Sequence, residues 1–172
     1  QMFTAYLRDI SDTRQVQQAL KDSEQRYRSV VENLSEIVFQ TDAQTRWTYL
    51  NPAWTEVTGF TVEESLGRPV IDFAPESDRP NVIAGFKPLL ERTLDSTSLE
   101  VHYLSKNRGE RWCEVFVRAL TDPSGALVGF AGSAADVTDR RMAQRQVQDQ
   151  LNLVQQLIEV IPSPIYFKHR DG

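Results

Sequence analysis

The sequence is poor in cysteine and histidine, two residue types that often form metal sites and nucleophilic catalytic sites. Its 172 residues include one cysteine and two histidines, too far apart for a metal cluster, and a single cysteine excludes an internal disulfide. It has no phosphate-binding loop ending in Gly-Lys-Ser or Gly-Lys-Thr and no nucleophile elbow. We therefore expect no catalytic centre and no bound metal. The lone Cys113 is typical of a reducing compartment such as the cytoplasm.

Long apolar runs and a basic surface are also missing. No stretch approaches the roughly 18 apolar residues of a membrane-spanning helix, and no signal-peptide pattern opens the chain. The net charge is −5, and the arginines at positions 140, 141 and 145 are interleaved with aspartates, as on a solvated helix face. We expect this segment to contact neither nucleic acid nor a membrane, while segments elsewhere in the parent protein could anchor it.

Two stretches of the sequence resemble each other at a constant offset. Residues 3–14 (Phe-Thr-Ala-Tyr-Leu-Arg-Asp-Ile-Ser-Asp-Thr-Arg) and 130–141 (Phe-Ala-Gly-Ser-Ala-Ala-Asp-Val-Thr-Asp-Arg-Arg) share a phenylalanine, two aspartates and an arginine. The same offset of 127 residues relates Leu20 to Val147. An offset that persists over several elements indicates a repeated unit.

The repeat predicts the organisation of the chain, with one complete unit between parts of two others. In chain order, the predicted parts are the last strand of a preceding repeat (1–11), a linker helix (12–22), the complete domain (23–139), a coiled-coil linker helix (140–161) and the start of a following repeat (162–172).

Hydrophobic periodicity predicts five strands in the complete unit, at residues 37–41, 46–50, 99–105, 111–121 and 126–135. Between the second and third strands, the sequence predicts short helices. One runs from Pro52 to Gly59, a second begins at the capping box of Thr61, and a longer one begins near residue 77. This order predicts an α+β fold, a five-stranded antiparallel sheet with short helices on one face and a linker helix at each end.

The last predicted helix begins at Thr138 and carries apolar residues in steps of four and three. Such steps place them on one narrow stripe, the a/d seam of a parallel coiled coil. We predict that a dimer forms along this seam, which consists of Val147, Leu151, Val154 and Ile158.

Three stretches resemble the PAS domain with its C-terminal PAC segment. They are residues 23–34 (Ser-Glu-Gln-Arg-Tyr-Arg-Ser-Val-Val-Glu-Asn-Leu), residues 51–69 from Asn-Pro-Ala-Trp to Leu-Gly-Arg-Pro, and residues 125–140 with Gly-Phe and Asp-Val-Thr-Asp-Arg. The resemblance implies a sheet that cups a pocket. It also implies tandem arrays upstream of an output domain, most often a histidine kinase and otherwise a diguanylate cyclase or phosphodiesterase.

The resemblance also sets the requirements for a cofactor. Thiol-adduct flavin photoreceptors of the family carry a Gly-Arg-Asn-Cys stretch, whereas this chain has Gly67-Arg-Pro-Val70. Haem-binding members use a histidine on the longest helix; here His102 lies in a strand and His169 in the truncated repeat. We therefore predict no cofactor. The residues favour neither haem nor the thiol adduct, while a non-covalent flavin or a small metabolite stays open as an alternative.

Large apolar side chains of the predicted domain either fill its core or line a ligand pocket, and the residues alone do not decide between the two. These candidates are Phe39, Trp54, Phe60, Val70, Phe73, Ile83, Phe86, Tyr103, Trp112, Phe116 and Phe130.

From these observations we predict a non-catalytic sensory module that dimerises through its flanking helices. Asp136 and Thr138, between the last strand and the last helix, are the candidate joint through which the sheet moves that helix. The predicted partners are a second copy, neighbouring PAS repeats and an output domain in a two-component phosphorelay. The alternatives are a ligand-binding sensor and a protein-docking platform that uses the face of the sheet.

Overall fold

A computed structural model describes residues 2–107 and 109–160, with side chains over 15–107 and 109–158. The chain divides into two compact units, one ending at Asp136 and the other beginning at Val137. In the described residues, no helix has both the length and the apolar character that crossing a membrane requires.

The first unit is built on a five-stranded antiparallel sheet. Its strands are β1 (Ile37–Asp42), β2 (Trp47–Leu50), β3 (Ser96–Ser105), β4 (Gly109–Thr121) and β5 (Leu127–Asp136), in the spatial order β2-β1-β5-β4-β3. All neighbours are antiparallel, and β5 lies at the centre. The predicted α+β fold is therefore confirmed, with strand bounds close to those predicted from periodicity.

The helices between β2 and β3 are α2 (Ala53–Thr58), α3 (Val62–Ser65), a 3-10 turn (Val70–Phe73) and α4 (Arg79–Leu90). Two of their predicted end signals are present. Gly59 ends α2 in the left-handed region at φ 75°, and the Thr61 hydroxyl accepts from the Glu64 amide in a capping box.

Helix α4 packs close to β3 on the inner face of the sheet. A Cβ added at Gly85 would lie 2.2 Å from Leu99 Cδ1, so the glycine allows this approach. Val82, Phe86 and Leu89 are buried, whereas Ile83 is 58% exposed. The prediction that Ile83 faces inward was wrong. The buried residues of α4 follow Val82 in steps of four and three, and these steps leave the adjacent Ile83 on the exposed side of the helix.

The N-terminal segment forms a single helix, α1 (Met2–Glu32). This corrects the strand of a preceding repeat that was predicted within residues 1–11, and the linker helix predicted for residues 12–22 is part of α1. A strand must pair its backbone groups with a neighbour, whereas a helix satisfies them within the segment. Helix α5 (Thr138–Val160) follows β5 as predicted. The start of a following repeat, at residues 162–172, lies outside the described residues.

Candidate functional site

The interior of the sheet unit is a continuous cluster of aromatic rings. Trp54 is fully buried and lies at its centre. Its ring centroid is 5.1 Å from that of Phe73 and 5.4 Å from those of Tyr103 and Trp47. The edge-to-face contacts with Phe73 and Tyr103 are geometries that aromatic pairs favour.

The cluster extends in both directions from Trp54. Phe39 contacts Trp47 at 5.2 Å between ring centroids, and Phe60 contacts Phe73 at the same distance. Phe86 and Phe130 form a second pair at 5.3 Å. The predicted candidates that lie inside the domain pack ring against ring, and Val70 is buried with them.

Two further candidates lie on the outer face of the sheet. Along β4 the buried side chains are Cys113, Val115 and Val117, so Trp112 and Phe116 point the other way. Phe116 is 48% exposed, and Trp112 is half-buried against His102, with ring centroids 3.6 Å apart. Their placement among pocket residues was wrong, because both faces of this strand carry apolar residues and alternation alone does not distinguish them.

Cys113 and His102 both lie in the sheet, on β4 and β3 respectively. Cys113 is fully buried, and its burial together with the nearby Asp136 carboxylate raises the pKa of the thiol to about 12. His102 lies on the edge strand, where the Asp78 side chain accepts from its backbone amide at 2.8 Å. In the described part of the chain, no three His, Cys, Asp or Glu side chains could hold a metal ion.

The predicted joint lies where the sheet passes into α5. Asp136 is the last residue of β5 and faces Cys113 across the ladder. Its Oδ2 lies 3.8 Å from Nη1 of Arg111, whose side chain is only 12% exposed. Val137 and Thr138, at the start of the second unit, are buried. The end of β5 is therefore held by an ion pair to β4.

The side chains of the predicted seam are exposed along α5. Val147, Leu151, Val154 and Ile158 are each more than half exposed, and Leu153 and Leu157 beside them are exposed to the same degree. Such a run of exposed large apolar side chains on a helix is typical of an interaction surface.

Surface grooves lie on the outer face of the sheet. One, of about 490 Å³, runs over β3, β4 and β5 beside Glu114, Phe116 and Ser133. A second, of about 580 Å³, lies between the sheet and the C-terminal half of α1 and is bordered by Tyr27 and Tyr49. The second groove also borders on Phe39, at one end of the aromatic cluster.

A family model described as PAS fold matches residues 31–142. The chain belongs to the PAS-fold family. The resemblance found in the sequence is therefore confirmed, and the matched residues include the aromatic cluster and the joint.

The PAS domain is similar to segments of two larger kinases. It is 29% identical over 145 residues to sporulation kinase C of Bacillus subtilis (strain 168), covering 80% of this chain and 33% of the relative. It is 26% identical over 142 residues to the sensor histidine kinase TmoS of Ectopseudomonas mendocina, covering 83% and 14%. The chain thus spans a third or less of these relatives.

A solved structure has the same fold. The crystal structure of a PAS domain from Colwellia psychrerythraea superposes with a TM-score of 0.60 at 20% identity, covering 67% of this chain and 97% of that one. The comparisons make the chain a sensory domain related to histidine kinases, a type of module that is generally non-catalytic.

Three residues of this arrangement were missed by sequence reasoning. Trp47 is 1% exposed and joins Phe39 to Trp54, although no ligand role was predicted for it. Arg111 was not foreseen as the partner of Asp136. Asn51 was named only as the first residue of a PAS-like stretch, yet its side chain makes three hydrogen bonds inside the domain.

Proposed function

We propose that this PAS domain is a dimeric relay that passes a conformational bias from its sheet to an output domain through α5. The observation that carries the proposal is the direct connection of β5 to a helix with an exposed a/d seam, at a joint held by Arg111 and Asp136. A second copy is the partner that the seam fits, because identical helices in parallel register place identical a and d residues opposite each other.

The output domain is most simply a histidine kinase in the cytoplasm. Both kinases described above are much longer than this chain and contain a segment similar to it. In the proposed relay, a change in the sheet shifts the residue after Asp136 and rotates or tilts α5. A two-stranded coil would transmit that motion to the kinase, and this requires two alternative arrangements of the joint.

A small-molecule sensor is the second candidate function. It is favoured by Trp47, whose indole nitrogen is buried and has no hydrogen-bond partner among the described residues. A buried donor without an acceptor is costly, and a bound molecule with an acceptor atom would satisfy it.

Light scattering coupled to size exclusion, with an absorbance spectrum from 300 to 600 nm on the same peak, tests these functions together. We expect a colourless dimer across a wide range of loading concentrations. A coloured peak, or a small molecule released on denaturation, would instead favour the ligand sensor. A colourless monomer would contradict the relay and would favour the docking platform.

A further inference from the structure

The side chain of Asn51 joins three parts of the domain that are distant in sequence. Its amide nitrogen donates to the carbonyl oxygens of Val31, at 3.1 Å, and Glu36, at 2.9 Å. Its amide oxygen accepts from the Val38 backbone amide at 2.9 Å. The residue is 1% exposed, so these bonds form away from water, where an unmade bond is most costly.

The bond to Val31 caps the end of α1. The last carbonyls of a helix have no partner within the helix and must find one elsewhere. The Val31 carbonyl accepts from the Leu34 amide at 3.4 Å and, more closely, from the Asn51 side chain twenty residues further along the chain. Between residues 15 and 32 only Ser23 and Val31 are even half-buried. Side-chain packing along this part of α1 is therefore slight, and the Asn51 bond is a substantial part of its attachment.

The other end of Asn51 is connected to the aromatic cluster. Its backbone carbonyl accepts from the Trp54 amide at 3.1 Å, in the first turn leading into α2. Its backbone amide donates to the Val38 carbonyl at 3.0 Å, beside the buried Phe39. A displacement of the Trp54 ring, transmitted through one turn of backbone, would therefore move the Asn51 amide.

We propose that Asn51 couples α1 to the aromatic cluster, so that a change in the core controls docking of the N-terminal helix as well as the position of α5. This inference deepens the proposed relay and rests on it, since it adds a second helix to the same signal. In this arrangement the bond from Asn51 holds the end of α1 against the domain, and the helix end is released when the Asn51 amide moves.

Hydrogen exchange measured by mass spectrometry on the whole chain tests this coupling. In Trp54→Phe, which leaves a gap in the cluster, we expect the amides of residues 28–36 to exchange about tenfold faster, while those of β4 change less. The matched control is Phe86→Leu, which disturbs the second aromatic pair on α4 without touching Asn51. Equal acceleration of residues 28–36 in both variants would overturn the proposal.

A double-mutant cycle shows whether Asn51 carries the effect. Asn51→Ser removes the bonds to Val31 and Glu36 without adding a charge, and alone it should accelerate exchange of residues 28–36 by about tenfold. Adding Trp54→Phe should then produce little further acceleration. Additive effects would overturn the proposal. If Asn51→Ser does not fold, Asn51→Asp, which keeps the shape and the acceptor for Val38, is the replacement.

Neither experiment depends on dimerisation or on an output domain. A failure of this coupling would leave exchange at the end of α1 independent of the core while the α5 relay still operated. A failure of the relay would appear in the oligomeric state instead.

Discussion

Trp54→Ala is expected to destabilise the PAS domain by about 3–5 kcal/mol, the range for removing a fully buried tryptophan. The ring contacts Trp47, Phe73 and Tyr103, and its indole nitrogen donates to Ser65 Oγ at 2.9 Å. Alanine leaves a cavity at the centre of the cluster and removes one buried hydrogen bond. Because domains of this size are stable by about 5–15 kcal/mol, the loss is a large fraction of the total.

Urea unfolding followed by far-ultraviolet circular dichroism measures this loss without relying on tryptophan fluorescence. The matched control is Trp112→Ala, which removes the same side chain from the outer face of the sheet. Trp112 is half-buried and contacts His102, so we expect its loss to cost about 1–2 kcal/mol. Similar costs for the two variants would mean that the core is not organised around Trp54.

Leu151→Ala is expected to weaken the dimer by about 2–5 kcal/mol if the residue is buried at an a position of a parallel coil. In the single chain Leu151 is 55% exposed, so the substitution costs the folded monomer little. Sedimentation equilibrium or light scattering over a dilution series gives the change in the dissociation constant.

Leu153→Ala is the matched control, because it makes the same substitution at another exposed leucine of the same helix. Leu153 is 56% exposed, but it lies two residues from Leu151 and therefore off the a/d stripe. We expect its loss to change the dissociation constant far less. If both variants weaken the dimer equally, the interface is wider than a two-stranded seam and includes the stripe of Leu153 and Leu157.

Local signals in the sequence predict the local structure of this chain well. The Thr61 capping box and the left-handed Gly59 are both found where the residue types require them. The turn after β4 also follows its signal, since the Asp122 carboxylate accepts from the amides of Ser124 and Ala126. The Ser124 hydroxyl, which donates to the same carboxylate, and these two amides hold the pKa of Asp122 below its usual range. Such features depend on neighbours within a few residues, which the sequence displays directly.

Choices between two apolar faces could not be made from the sequence. Both faces of β4 carry large apolar residues, and packing against the rest of the core decides which face is buried. The same holds for Ile83 and Val82, which are adjacent on α4 and equally apolar. Tertiary packing decides which of the two apolar positions is buried, and no local sequence pattern records that choice.

Long-range polar contacts were also beyond the sequence. The partners of Asn51 lie up to twenty residues away, and those of Arg111 twenty-five. Hydrogen bonds and ion pairs over such distances have no fixed spacing, so no motif marks them. The joint at Asp136 was nevertheless predicted from its place between a strand and a helix, and Arg111 gives it a partner.

In the proposed relay, a change in the aromatic cluster reaches α5 through the joint, and interspin distances across the dimer measure that effect. A spin label on Gln155→Cys lies on the exposed part of α5, and the native Cys113 is buried and protected from labelling. Distance distributions would be recorded for the labelled chain, for Trp54→Phe, for Asp136→Asn and for the combination.

The relay predicts that Trp54→Phe shifts the distance distribution and that Asp136→Asn, which weakens the tie to Arg111, suppresses that shift while the dimer persists. A distribution that Trp54→Phe leaves unchanged, or a shift that survives Asp136→Asn undiminished, would contradict a relay through this joint.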